Sequence, residues 1–291
     1  MMRSEPPGCT DVMLVSKSIG VPSPVEARGA VAGLDVGYSA SAASTGLCVL
    51  TWNETSVTWT CSNARSDDPD RKRKLSALAP ADKRVAAAAV DGPLVPGLTL
   101  RASYRACEAI LSCGALQRRG KPGPTNGGSG PRLHQEASRL GRFALEELEV
   151  GMANHLCSIH EKAIVEAFPN LFLGTLCDEN NYPERPSKKR RWTDTLFPLV
   201  AEKLGLLLRC LLPNREITGQ WGLVDHDEIA SFACAVTALC VASGRYSGVG
   251  AEDDGWIILP PRGFLGRGWE GTLVDCCQRS RRSFPGASIY W

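Results

Sequence analysis

Apolar and polar positions divide this chain into short, distinct runs. VAGLDV (31–36) and TGLCVLTW (45–52) are apolar and joined by small residues, which predicts two adjacent strands. TSVTWTCS (55–62), rich in β-branched and aromatic residues, predicts a third, reached by a turn at Asn53-Glu54. SDDPDRKRK (66–74) reads as a charged surface loop, and VAAAAVDGPLVP (85–96) as a fourth strand stopped at Asp91-Gly-Pro. Helical spacing then appears over 101–116 and 134–156, separated by RRGKPGPTNGGSGP (118–131), whose glycines and prolines predict a long loop. KAIVEAFP (162–169) predicts a fifth strand carrying Glu166. A helix follows a basic start over 187–212. HDEIASFACAVTALCVASG (226–244) predicts a helix that is apolar on most faces and closed by Gly244. GWIILPPR (255–262) is the expected last strand. Residues 1–29 read as a flexible leader, 30–262 as one domain, and 263–291 as a Gly/Arg-rich tail with no assignable element. Three strands followed by strands alternating with helices is an α/β order with an antiparallel beginning.

Composition narrows this picture only a little. With 291 residues and 43% hydrophobic content, the chain can bury one large core or two small ones. A net charge of +2 creates no overall field that would announce nucleic-acid binding. The basic clusters at 71–74, 188–191 and 279–282 read as solvated loops. The 12 cysteines fall largely in apolar contexts such as GLCVL, without CxxC or Cys/His zinc spacing, so reduced thiols are expected. The N-terminal stretch lacks the order of a signal peptide, and no apolar run approaches the roughly 20 residues needed to cross a bilayer. A cytoplasmic location is the expectation. His134, His155 and His160 read as surface positions, and His226 as a helix-start residue.

The acidic residues change the picture more. Asp35 ends the first strand, Asp91 the fourth and Glu166 the fifth, while Asp225, Asp227 and Glu228 open the apolar helix near 226. Ligands in α/β sheets gather at the carboxyl ends of strands. Acids brought together there repel unless a cation compensates, and oxygen-only clusters suit Mg²⁺ or Mn²⁺. Each acid also has a plainer role open to it. Asp227 and Glu228 fit as helix-start residues worth about 0.5–2 kcal/mol, Asp91 as a turn residue, and Glu166 as a water-facing edge residue.

The succession GLDVGYSASAASTGLCVL, AAVDGPLVP, RACEAIL, IVEAFP and HDEIASFACAVTALCVASG resembles the predicted nucleases of the ribonuclease H-like superfamily. More narrowly, it resembles the bacterial family called domain of unknown function four-two-nine, over roughly residues 31 to 262. The resemblance implies a mixed five-stranded sheet, its first three strands antiparallel, flanked by helices. It implies Asp35 as a ligand shared by two Mg²⁺ or Mn²⁺ ions, with Asp91 and Asp227 completing the sites. Glu166, the acid of IVEAFP, would be a further catalytic ligand or an orienting residue. Junction-resolving relatives often carry a second acid one helical turn along the last helix; here that position is Ala230, and Glu228 or Asp225 would have to substitute. Two ions about 4 Å apart would serve phosphodiester hydrolysis. Substrate phosphates of DNA or RNA would then meet Arg101 and Arg105, taken as one helix face, and Arg118, Arg119, Lys121 and Arg132 of the loop.

Two other readings stay open. DVGYSASAAST resembles the phosphate-binding hairpin of actin-like ATPases and sugar kinases, although no second such hairpin follows. A binding module that keeps the fold without activity fits the near-neutral charge and Ala230. No P-loop or GxSxG elbow is present.

Overall fold

The structure is a computed structural model that describes residues 25–118, 124–183, 192–223 and 225–291. Arg119 and Lys121, most of the expected leader and the basic cluster 188–191 lie outside the described residues, as does the side chain of Arg118.

The strands are β1 (Gly29–Asp35), β2 (Thr45–Trp52), β3 (Ser56–Ala64), β4 (Arg84–Val85), β5 (Ala88–Asp91), β6 (Glu149–Val150), β7 (Ile164–Ala167), β8 (Glu216–Ile217), β9 (Ser247–Ala251), β10 (Gly255–Leu259) and β11 (Ser288–Tyr290). The helices are α1 (Asp68–Leu78), α2 (Ala106–Leu111), α3 (Gly130–Glu147), α4 (Pro169–Leu176), α5 (Trp192–Leu211), α6 (His226–Ala242) and α7 (Trp269–Ser280). The fold is α/β: a large mixed sheet with helices on both faces. β2 runs antiparallel to both β1 and β3, and β5 and β7 continue the sheet parallel to β1. The sheet has nine strands, in the order β11-β9-β10-β7-β5-β1-β2-β3-β8, where five were expected. β8 adds to one edge, and at the other β9 and β11 flank β10, the expected last strand. β9 escapes a sequence reading because its SGVGA offers little side chain to count, and β11 because it is a three-residue edge strand after a polar helix. The unassigned tail is therefore built into the structure: β11 pairs with β9, and Trp269 and Leu273 of α7 are fully buried.

Two predicted elements change character. Residues 66–74 form a helix start rather than a loop, because Asp67 caps α1 by accepting from the Asp70 N–H at 2.9 Å and Pro69 sits in the first turn. This turns Arg71 inward, and it is completely buried. The expected helix 101–116 shrinks to α2, with Arg105 in extended backbone as its N-cap and Gly114 at φ 56° beyond its end. Arg101 and Arg105 therefore do not share a helix face. The buried helix matches expectation closely: α6 is capped by Asp225, which accepts from the Asp227 N–H at 2.8 Å, and Gly244 takes φ 65° after its last turn.

Close approach of α6 to the sheet positions the site. A Cβ on Gly33 would stand 2.1 Å from the Ser231 carbonyl oxygen and 2.2 Å from the Ala235 nitrogen, so only glycine lets α6 lie directly on β1. A Cβ on Gly46 would likewise meet the Asp227 carbonyl oxygen at 2.2 Å and the Asp35 Cβ at 3.1 Å. The first turn of α6 is thus brought against the end of β1. α1 and α3 cover the opposite face, where Gly92 meets Ala137 of α3.

Candidate functional site

β1 and β5 run in parallel register with Asp35 level with Asp91, so both side chains leave the same face at the carboxyl end of their strands. Their carboxyl groups are in hydrogen-bond contact. Asp35 is buried and Asp91 partly so. Burial pushes the Asp91 carboxyl up to about 7; the hydrogen bond with Asp35 pulls it back, and the charge of Glu166 adds to the rise. Burial thus lets Asp91 hold a proton that an ordinary aspartate would shed. Asp227 comes to the same end of β1, its backbone flanking the point above Gly46 that Asp35 flanks from below. Beneath the pair lies Cys234 of α6, its thiol pushed well up by burial and then by the charges of Asp91 and Asp35, an inert sulfur rather than a nucleophile.

Glu166 belongs to a different environment. On β7 it is level with Val90, one position before Asp91, so its side chain leaves the other face of the sheet. There Arg105 grips it with both ends of its guanidinium, Nη1 to Oε2 at 2.7 Å and Nη2 to Oε1 at 2.9 Å, while the Leu94 N–H donates to Oε2 at 2.8 Å. Arg105 also donates from Nε to Glu108 Oε1 at 2.8 Å and from Nη1 to the Leu94 carbonyl at 2.9 Å. Thr125 closes the cluster, its N–H donating to Glu108 Oε2 at 3.1 Å and its hydroxyl to Oε1. Every charged member is buried. Even against the pull of Arg105, burial keeps the Glu166 carboxyl above its ordinary value. Arg105 is thus committed to two internal carboxylates and does not face a phosphate. Glu166 is a neutralised residue behind the site, not a water-facing edge acid.

The remaining expected residues divide as follows. Arg101 is half-buried on a connecting segment, with Nη1 donating to the Asp253 carbonyl at 2.9 Å and Nε to Ser103 Oγ at 2.6 Å. His134 is buried, contrary to the surface position expected: Nδ1 donates to the Pro93 carbonyl at 2.7 Å, and Nε2 accepts from the Arg101 N–H at 3.0 Å. It holds the chain that follows Asp91. Glu228 is partly exposed in the first turn of α6, where its backbone carbonyl accepts from Ser231. Arg132 is exposed in the first turn of α3 and stands over the Tyr38 ring, its Cζ 5.0 Å from the ring centroid. Asp35 and Asp91 therefore meet at one end of β1 with the backbone of Asp227 beside them, whereas Glu166 and Arg105 form a second assembly across the sheet.

Sequence reasoning missed Tyr38 and Arg71. Tyr38 lies three residues beyond Asp35; burial, then Asp91, push its phenol up to about 12, with Arg132 opposing. Arg71 lies behind the loop that joins β1 to β2, within reach of Thr45 Oγ1 at 3.3 Å and the Gly37 carbonyl at 3.5 Å. The loop is closed by its own hydroxyls: the Ala42 N–H donates to Ser39 Oγ at 2.9 Å and the Ser39 N–H to Ser44 Oγ at 3.2 Å.

Among the described residues no group of three or more Asp, Glu, His or Cys side chains is arranged to hold a metal ion. The Asp35–Asp91 pair nonetheless suits Mg²⁺, which keeps several waters and binds through one or two carboxylates plus substrate phosphates. No helix among the described residues is long and apolar enough to cross a membrane. No family model, no curated protein and no solved structure matches this chain.

Proposed function

We propose that this protein is a metal-dependent nuclease of ribonuclease H-like type, hydrolysing phosphodiester bonds of nucleic acid at the Asp35–Asp91 pair. The observation that carries the reading is the contact between these two carboxyl groups, with Asp91 pushed up to about 7. Two carboxyl groups in contact, one of them held protonated by burial, make a place where a divalent cation can take the proton's position. The strand order β3-β2-β1-β5-β7, with its antiparallel first three strands, supports the superfamily resemblance.

Asp35 and Asp91 would hold Mg²⁺ or Mn²⁺, with Asp227 approaching from α6. A cation bound there supplies positive charge for the phosphate oxygens and lowers the pKa of a coordinated water. The protein's own part is positional. Gly33 and Gly46 let α6 close on β1, and the register of β1 with β5 holds the two carboxylates level. The Arg105–Glu166 clamp fixes Leu94, three residues after Asp91, through both its N–H and its carbonyl. Alanine replacement of Asp35 is expected to abolish Mg²⁺-dependent cleavage of oligonucleotides; unchanged cleavage excludes this assignment.

A second reading, a nucleic-acid-binding module without activity, is favoured by the commitment of Glu166 to Arg105 and by Ala230 at the position of a further acid. Oligonucleotide binding with no cleavage in either Mg²⁺ or Mn²⁺ would select it.

A further inference from the structure

The loop between β1 and β2 presents a ring at the edge of the carboxylate pair. Among the described residues, Tyr38 is the one aromatic among the large hydrophobic side chains left exposed; the others, such as Leu100, Met152 and Leu199, are aliphatic. Tyr38 is 39% exposed, and its phenol lies within the electrostatic reach of both Asp91 and Asp35. The ring offers a flat face beside the candidate centre, on which a planar partner can stack. Arg132 lies over the ring, and its N–H groups have no hydrogen-bond or ion-pair partner among the described residues. A guanidinium that uses its face on an aromatic ring keeps its in-plane N–H groups for an anion.

A ring and a free guanidinium edge a few ångströms apart match the repeating unit of a nucleic acid, which is a flat base followed by a phosphate. In a duplex the base faces are covered by their neighbours. Only an unstacked base can lie on a protein ring. We propose that Tyr38, backed by Arg132, is a stacking platform that makes this site selective for single-stranded nucleic acid. The proposal rests on the nuclease reading for the identity of the substrate. The strand enters with a base on Tyr38 and a phosphate at Arg132, which carries the adjoining phosphodiester towards Asp35 and Asp91.

The test is fluorescence anisotropy of the full chain with a short labelled single strand and with the corresponding duplex, in Ca²⁺, beside a cleavage assay in Mg²⁺. Wild type is expected to prefer the single strand. Tyr38→Ala should weaken single-strand binding about tenfold to a hundredfold, leave duplex binding unchanged, and melt at the wild-type temperature. Tyr38→Phe, which keeps the ring, should restore the preference. Equal binding of both forms by wild type, or unaltered single-strand binding by Tyr38→Ala, overturns the platform. Asp35-dependent cleavage in that same experiment would leave the nuclease reading standing. Tyr38-dependent binding without cleavage keeps the platform and overturns the nuclease reading, and absence of binding overturns both.

Discussion

Two carboxylate assemblies lie back to back at the same end of the sheet. On one face Asp35 and Asp91 touch each other. On the other, Glu166 and Glu108 share Arg105 in a buried, hydrogen-bonded cluster. Both are acid pairs at strand or helix ends, and the chain sequence does not distinguish them. What separates them is a single strand position: Glu166 is level with Val90 instead of Asp91, and a shift of one residue sends a side chain to the other face. The closed face offsets its charge with an internal guanidinium, whereas on the open face burial raises the Asp91 carboxyl.

The largest effect is expected on the closed side. Replacing Arg105 with Met strands Glu166 and Glu108 as buried carboxylates without their partner, which costs about 3–5 kcal/mol of stability. Denaturant unfolding measures this. A loss below about 1 kcal/mol would mean that Arg105 does not neutralise the cluster and that the two assemblies are more alike than described.

A smaller effect of opposite sense is expected on the open side. Asp91 titrates near 7 in the folded protein against an ordinary value of 3.8. The folded state therefore retains a proton that the unfolded chain sheds, and this group's contribution to stability falls as pH rises from about 4 to 7. Metal-free protein should melt a few degrees lower at pH 8 than at pH 5.5, and Asp91→Asn should flatten that difference. Mn²⁺ should raise the melting temperature at pH 8 and do little at pH 5.5, since protons and cations compete for the same oxygens. An Asp91→Asn profile that falls as steeply as wild type would remove the pair as the cause.

Much of the core of this fold can be read from residues alone. The apolar runs of β1, β2 and β3, the Asp-Gly-Pro stop after β5 and the apolar length of α6 each carry a local signal strong enough to survive tertiary packing. The meeting of Asp35 and Asp91 also follows from their places at the ends of adjacent strands. Other features are less accessible. Glycine-rich β9 has almost no side-chain pattern, and the short β8 and β11 borrow their stability from the strands they join. The burial of Arg71 was signalled by the cap Asp67 and Pro69, which mark a helix start that a charge-rich reading obscures. Whether Glu166 joined the other acids depended on strand register, a relation between distant segments that no local pattern encodes.

The central claim is that the open pair, and not the closed one, takes a divalent cation. Titration calorimetry with Mn²⁺ on wild type, Asp35→Asn and Glu166→Gln tests it most directly. The account predicts binding by wild type, loss of binding in Asp35→Asn, and near wild-type affinity in Glu166→Gln. Heat of Mn²⁺ binding that persists in Asp35→Asn, or that vanishes only in Glu166→Gln, would contradict it.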